Sequence, residues 1–352
     1  MVKWRSLLLG GVISAVCLAL LLQQVDLGKT WESFRQADPV WLGLSLVSMA
    51  VALWLRCWRW QFLFLPKDRV SLRGTTSATL IGYMFNTVLP GRVGELVRAS
   101  LVGQTEQVST ARAIGTIFIE KILDVLVLLV LLGALVPVLP LPAEITGAGV
   151  KASVAFGALA VAFFAASYFR DPLVSWAERR LDHLPLLERL RPSRVLHLVL
   201  DAADGLRRPD LLALQIVLST VLWGVALLTV WVVMQAFHLD TVPWTGAALV
   251  LVTTNLGMTV PSAPGYVGVY HYIAVLALRV FGVDDSAGLA FAVALHALGF
   301  GSFTLAGALL LIVGLARQQY ALSDLWRWQE RRSSEFQVPS SEPGPKQATQ
   351  VA

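Results

Sequence analysis

Three charged residues stand three apart in the stretch FNTVLPGRVGELVRAS, residues 85–100: Arg92, Glu95 and Arg98. On a helix that spacing puts them on one face. An arginine so placed can grip a phosphate through two parallel N–H groups. The glutamate can hold that arginine or meet an amine on a headgroup. In the plainer reading, Glu95 complements the start of its own helix and Arg98 reaches along its apolar stem to the surface. A second charged group, Glu120, Lys121 and Asp124, interrupts the apolar run TIFIEKILDVLVLLV. Each such charge costs roughly 2.5–3.5 kcal/mol at the centre of a membrane helix. Glu120 is expected near the inner end, within reach of water. Asp124 is expected about 15 Å deep if the helix begins near Ile114. Lys121 and Asp124 are three apart and can pair. The competing roles are a structural pair, a headgroup contact and a proton-coupling carboxylate. Asn86 and Asn255 precede two chain breaks, where their amides either cap freed carbonyls or line a path. His271 and His296 lie in apolar helices and read first as packing residues. Cys17 and Cys57 lack metal-ligand spacing. No G-x-S-x-G, P-loop or H-E-x-x-H motif is present, and no cofactor or metal is implied.

The elements that must position these residues are membrane helices. The chain is 56% hydrophobic and 14% charged, against roughly 45–50% and about 25% in soluble domains. Six stretches are long enough to span: about 6–22, 39–57, 114–136, 151–169, 211–236 and 287–315. Two more regions, 75–103 and 245–281, are apolar but broken at Pro90–Gly91 and Pro264–Gly265. The leg 75–89 makes about 22 Å of helix, short of a core about 30 Å thick. Each broken region therefore reads as a re-entrant hairpin. Lys3 and Arg5 precede the first run, and no small-x-small site follows it, so that run is expected to be an uncleaved span.

Charge placement agrees. With the N-terminus inside, 21 Lys and Arg fall in inner segments, and only Lys29 and Arg35 fall in outer loops. That is the asymmetry of the positive-inside rule. It also explains the net charge of +5 without invoking nucleic acid. The 170–210 linker, with eight arginines, reads as short amphipathic helices on anionic lipid or as a solvated connector. The tail 331–352 is Ser-, Pro- and Gln-rich and is expected to be disordered. The sequence PGRVG at 90–94 returns as PGYVG at 264–268. Repeat one (39–136) and repeat two (211–315) each hold span, hairpin and span, and the hairpins enter from opposite sides. The fold expected is an all-α polytopic membrane protein, about six full spans plus two re-entrant hairpins in an inverted repeat.

The segments NTVLPGRVGELVRA, FIEKILDVLVLL and PSAPGYVGVYH resemble the transmembrane domain of lysylphosphatidylglycerol synthases, over roughly residues 5–315. The resemblance implies a flippase-like domain, residues 1–330, that moves lipids between leaflets, in a stand-alone member without the aminoacyl-transferase domain. It places the motif residues at Asn86, Pro90, Gly91, Arg92, Gly94, Glu95 and Arg98, then Glu120, Lys121 and Asp124, then Pro264, Gly265 and Gly268. Lys121 stands where relatives often have arginine, and His271 where many have glutamate. With Asn255, these form the expected substrate-binding set. The function expected is lipid translocation in the cytoplasmic membrane, with both termini cytoplasmic. The alternatives are a membrane-embedded transferase using a lipid-linked donor and an accessory subunit of an envelope-synthesis complex. The expected partners are membrane lipids, with a second copy of the chain or an envelope-synthesis enzyme as further candidates.

Overall fold

The computed structural model describes residues 4–139, parts of 154–180, and 200–317 except 202. All regular structure among them is helical: α1 (Trp4–Leu22), α2 (Leu27–Gln36), α3 (Pro39–Phe62), α4 (Leu72–Val88), α5 (Gly94–Thr105), α6 (Thr110–Leu135), α7 (Arg170–Arg180), α8 (Pro209–Ala236), α9 (Trp244–Gly257), α10 (Val269–Arg279), α11 (Asp285–His296) and α12 (Ser302–Ala316). A π-helical turn (Ala297–Gly301) joins α11 to α12. Short polar side chains set several starts by accepting N–H groups that a first turn leaves unpaired. Asp26 caps α2, Asp38 caps α3 just before Pro39, Ser71 caps α4 and Asp284 caps α11.

Three helical stretches are long and apolar enough to cross a bilayer alone: α3, α8 and the run Asp285–Ala316. A fourth candidate is α1 taken together with α2, which turns away from it by 86°. The α2 segment had been expected as outer loop; it is a helix. The α6 helix has 26 residues and carries Glu120, Lys121 and Asp124 along its length. It begins four residues before the expected Ile114, which puts Asp124 about 21 Å from its start. Most of the expected span 151–169, residues 181–199 and 202 of the 170–210 linker and the whole 331–352 tail lie outside the described residues.

The two broken regions fold back on themselves. In hairpin one, α4 and α5 run antiparallel, with Gly94 against Gly82 and Asn86, and Gly82 against Arg98. At its open end Glu106 accepts the Ser71 N–H and hydroxyl, both at 2.7 Å. In hairpin two, α9 and α10 pair the same way, with Gly257 against Ile273 and Gly246 against Phe281. The helices α3 and α8 lie antiparallel, tied by Asp38 N–H to Ala236 O (2.9 Å), the Thr229 hydroxyl to Ser48 (2.8 Å) and Gln215 to Arg59 O (3.2 Å). Hairpin one follows the end of α3 and hairpin two follows the end of α8, so the hairpins open at opposite ends. Their tips meet: Arg92 donates to the Met258 carbonyl, and Gly265 rests on Thr87. The first helix joins this junction too, because Ser14 Oγ accepts the Ala263 N–H at 2.8 Å and Gly10 lies against Ser262.

Hairpin one depends on a glycine contact. A Cβ on Gly94 would lie 1.9 Å from the Gly82 carbonyl oxygen, whereas one on Gly133 meets nothing within 4 Å. Overpacking of this kind costs typically about 1–3 kcal/mol. Gly94→Ala should therefore lower the melting temperature of the detergent-solubilised protein clearly, and Gly133→Ala should leave it unchanged or raise it.

Candidate functional site

The two five-residue segments share a turn as well as four letters. Gly91 and Gly265 take φ of 85° and 68°, and the following Arg92 and Tyr266 take 55° and 61°. Left-handed backbone costs a non-glycine residue roughly 1–2 kcal/mol. Both breaks thus hold the same strained turn, and from each a short helix starts, α5 or α10, with its positive dipole end toward the junction. Arg92 is exposed there. It bonds to Met258 O and lies 6.0 Å from the Tyr266 ring. The repeat is not symmetric throughout. Gly268 keeps a positive φ of 89°, while its counterpart Gly94 already begins α5.

Beside this junction lies a network of ion pairs drawn from α3, α5 and α6, with neutral partners from α8. Asp124 accepts from Arg56 (2.8 Å) and Arg59 (2.7 Å), and from the Trp223 indole (3.3 Å). Arg59 also donates to Ser219 at 3.0 Å. Glu120 accepts from Arg98 at 2.7 Å and lies 3.4 Å from Arg56. Lys121 pairs with Glu95 at 3.2 Å. Arg98 stacks on Trp60, 3.6 Å from the ring centroid. Arg59 and Glu120 are fully buried and Arg98 nearly so. The network holds four cations, Arg56, Arg59, Arg98 and Lys121, against three carboxylates, Glu95, Glu120 and Asp124. It carries one positive charge in excess. Among the described residues, Arg98 Nε and Nη1 and the Asn86 carbonyl oxygen are buried without a hydrogen-bond partner.

These pairings differ from those the spacing suggests. Lys121 and Asp124 are not partners: Lys121 turns to α5 and Asp124 to α3. Glu95 holds Lys121, with Arg98 4.0 Å away, and does not hold Arg92. Arg98 does not reach the surface, and Glu120 is out of reach of water. The reason is common to all four. Neighbouring helices supply counter-charges closer than residues one turn along the same helix. Asn255 donates to the Leu251 carbonyl one turn back within α9 at 2.8 Å. His271 accepts the Gly268 N–H at 3.3 Å, stabilising the start of α10, and meets His296 edge-on at 4.9 Å. His296 in turn bonds the Gly265 carbonyl at 2.8 Å. Pro264, Gly265 and Gly268 form the break itself.

Reading the sequence missed Arg56 and Arg59, which had been assigned to a cytoplasmic segment and an orientation signal. Their spacing of three, on an apolar helix that continues to Phe62, was the available clue. It also missed Ser14. Gly10 and Ser14 form a small-xxx-small pair, the pattern by which membrane helices approach closely.

Removing one member of a buried pair leaves the other charge unpaired, at about 3–5 kcal/mol. The loss is smaller where a second cation stays near the orphaned carboxylate, as Arg98 does 4.0 Å from Glu95. Arg59→Ala should therefore destabilise the protein strongly in thermal melts. Lys121→Ala, whose side chain is 42% exposed, should cost far less. Equal losses at the two positions would contradict this ranking.

Comparison with known proteins agrees with this architecture. The family model described as the lysylphosphatidylglycerol synthase TM region matches residues 7–336. A UPF0104 membrane protein of Methanothermobacter thermautotrophicus is 27% identical over 295 residues, covering 78% of this chain and 86% of the relative. No solved structure matches. A helical bundle with several apolar helices, carrying the PGRVG and EKILD segments on facing elements, is matched over nearly its whole length: the chain is a membrane protein of the lysylphosphatidylglycerol synthase transmembrane family.

Proposed function

We propose that this protein is a lipid translocase of the cytoplasmic membrane, moving a phospholipid or another lipid with an anionic headgroup between leaflets. The observation that carries the reading is the charge balance at the junction of the hairpin tips. The network holds one cation more than it has carboxylates, and Arg92 beside it is exposed and bonded to a carbonyl. A guanidinium cannot escape an apolar setting by losing its proton. A lipid phosphate supplies the missing negative charge, while its chains stay in the bilayer. Two helix N-termini aimed at the same place favour the same charge. In this reading the hairpins are re-entrant and six further segments span, and the headgroup passes between the tips.

The orientation proposed puts both termini in the cytoplasm, as the distribution of Lys and Arg favours. Hairpin one then opens inside and hairpin two outside. Single cysteines placed at Gln104 and Asp284, probed with an impermeant thiol reagent in intact cells, should report inside and outside respectively. Labelling of both from the same side would remove the two-hairpin arrangement.

Transport itself is tested in liposomes holding purified protein and headgroup-labelled lipids, scored by accessibility to a membrane-impermeant quencher. Arg92→Lys keeps the charge and loses the planar fork that binds phosphate through two bonds. It should slow transfer about tenfold or more, a change of at least ~1.4 kcal/mol, while expression and melting temperature stay near the parent's. A lysine variant that transfers lipid at the parental rate would reduce Arg92 to a structural tie between the tips.

A further inference from the structure

A second basic site lies at the far end of hairpin one from the tips. There α4, α5 and α12 enclose a cleft of about 450 Å³. Arg73 and Arg317 line it, and its walls include Ser77, Ile81, Leu101 and Leu310. Among the described residues neither arginine meets a carboxylate. Glu106 also lines the cleft, with both oxygens already accepting from Ser71. Two guanidinium groups and one carboxylate leave one positive charge, which a single phosphodiester balances. Arg73 stands in the first turn of α4, where the helix dipole opposes a cation. It therefore adds nothing to its own helix, and a bound anion relieves the conflict.

The apolar side of the cleft defines the rest of the ligand. The neighbouring face of α12 exposes Leu305, Leu309 and Ile312 at 73%, 62% and 63%, on a stretch apolar enough to cross a bilayer. In a membrane protein such a face is covered by acyl chains. A free phosphate would satisfy the arginines but make no contact with that exposed face of α12. An amphiphile satisfies both.

We propose that this cleft binds the phosphate of an anionic phospholipid from the adjoining leaflet between Arg73 and Arg317, with an acyl chain laid along α12. The site lies at the other end of α5 from Arg92 and the tips, a helix of 12 residues and about 18 Å, while Arg98 of the ion network stands three residues before Leu101 of the cleft wall. It does not rest on translocation.

The test is native mass spectrometry of the full chain, released from detergent after titration with phosphatidylglycerol, phosphatidylcholine or soluble glycerol phosphate. Phosphatidylglycerol should be retained in preference to phosphatidylcholine, and glycerol phosphate should not displace it. The double variant Arg73→Gln/Arg317→Gln should retain it roughly tenfold less, the loss expected when two charge-assisted contacts become neutral ones. Ser77→Leu, which narrows the cleft and keeps both charges, should also reduce retention, and it serves if the double variant folds poorly. The double variant should lose the same further retention when made in an Arg92→Lys background, which separates this site from the one at the tips. Equal retention of the two lipids, undiminished retention in the double variant and in Ser77→Leu, or displacement by glycerol phosphate would each overturn the proposal.

Discussion

Arg59 has no contact with solvent and cannot discharge itself, so the bundle must be built around its counter-ion. That ion is Asp124 on α6, supported by Ser219 and Trp223 on α8. One guanidinium thus fixes the mutual placement of three long helices. Arg98 does the same for hairpin one. Its bond to Glu120 pins α5 against α6, and Trp60 on α3 covers its other face. Apolar contacts alone would not set these positions, because lipid chains compete with leucine for leucine. In a bilayer the directional part of helix association falls to polar pairs and close backbone contacts, and both are concentrated here.

The close contacts have the same logic. Gly94 and Gly82 bring α4 and α5 together until a methyl group would not fit. This proximity puts Glu95 within reach of Lys121 on the other side. Gly307 lies against the Leu80 carbonyl on the opposite face of α4. Hairpin one is held between α6 and α12 by surfaces that admit no side chain, with the ion pairs fixing its depth. A network of this kind tolerates an excess charge only if something outside the protein provides the balance. The geometry therefore leads to a question of ligand rather than of stability.

Much of this was legible in the residues. Composition and run length gave the helical membrane class, and the two proline–glycine breaks marked where helices stop. The four letters shared by PGRVG and PGYVG go with a shared positive-φ turn at Gly91–Arg92 and Gly265–Tyr266. What the sequence could not supply was the partner of each charge. Spacing along one helix proposes neighbours three or four residues away, so it paired Lys121 with Asp124 and Arg92 with Glu95. Those are the shortest routes along the chain. The folded protein has shorter ones across it, and they depend on how α3 and α5 rotate against α6. Arg56 and Arg59 were hidden for a related reason. Near the end of an apolar run, an arginine that orients the protein and one that enters its core look alike.

The contact of α1 with the second break bears on the protein's asymmetry. Duplicated halves of opposite direction would, if equivalent, leave the molecule with no preferred side. Ser14 and Gly10 belong to neither hairpin, and they fasten hairpin two at Ala263 and Ser262. No element of the described residues does the same for the break in hairpin one, whose tie is the Arg92 side chain itself. The two breaks are thus unequally held, one by a backbone donor to a whole extra helix and one by a single flexible side chain. The first helix is therefore a place where the hold on one break can be changed without touching either hairpin or the ion network.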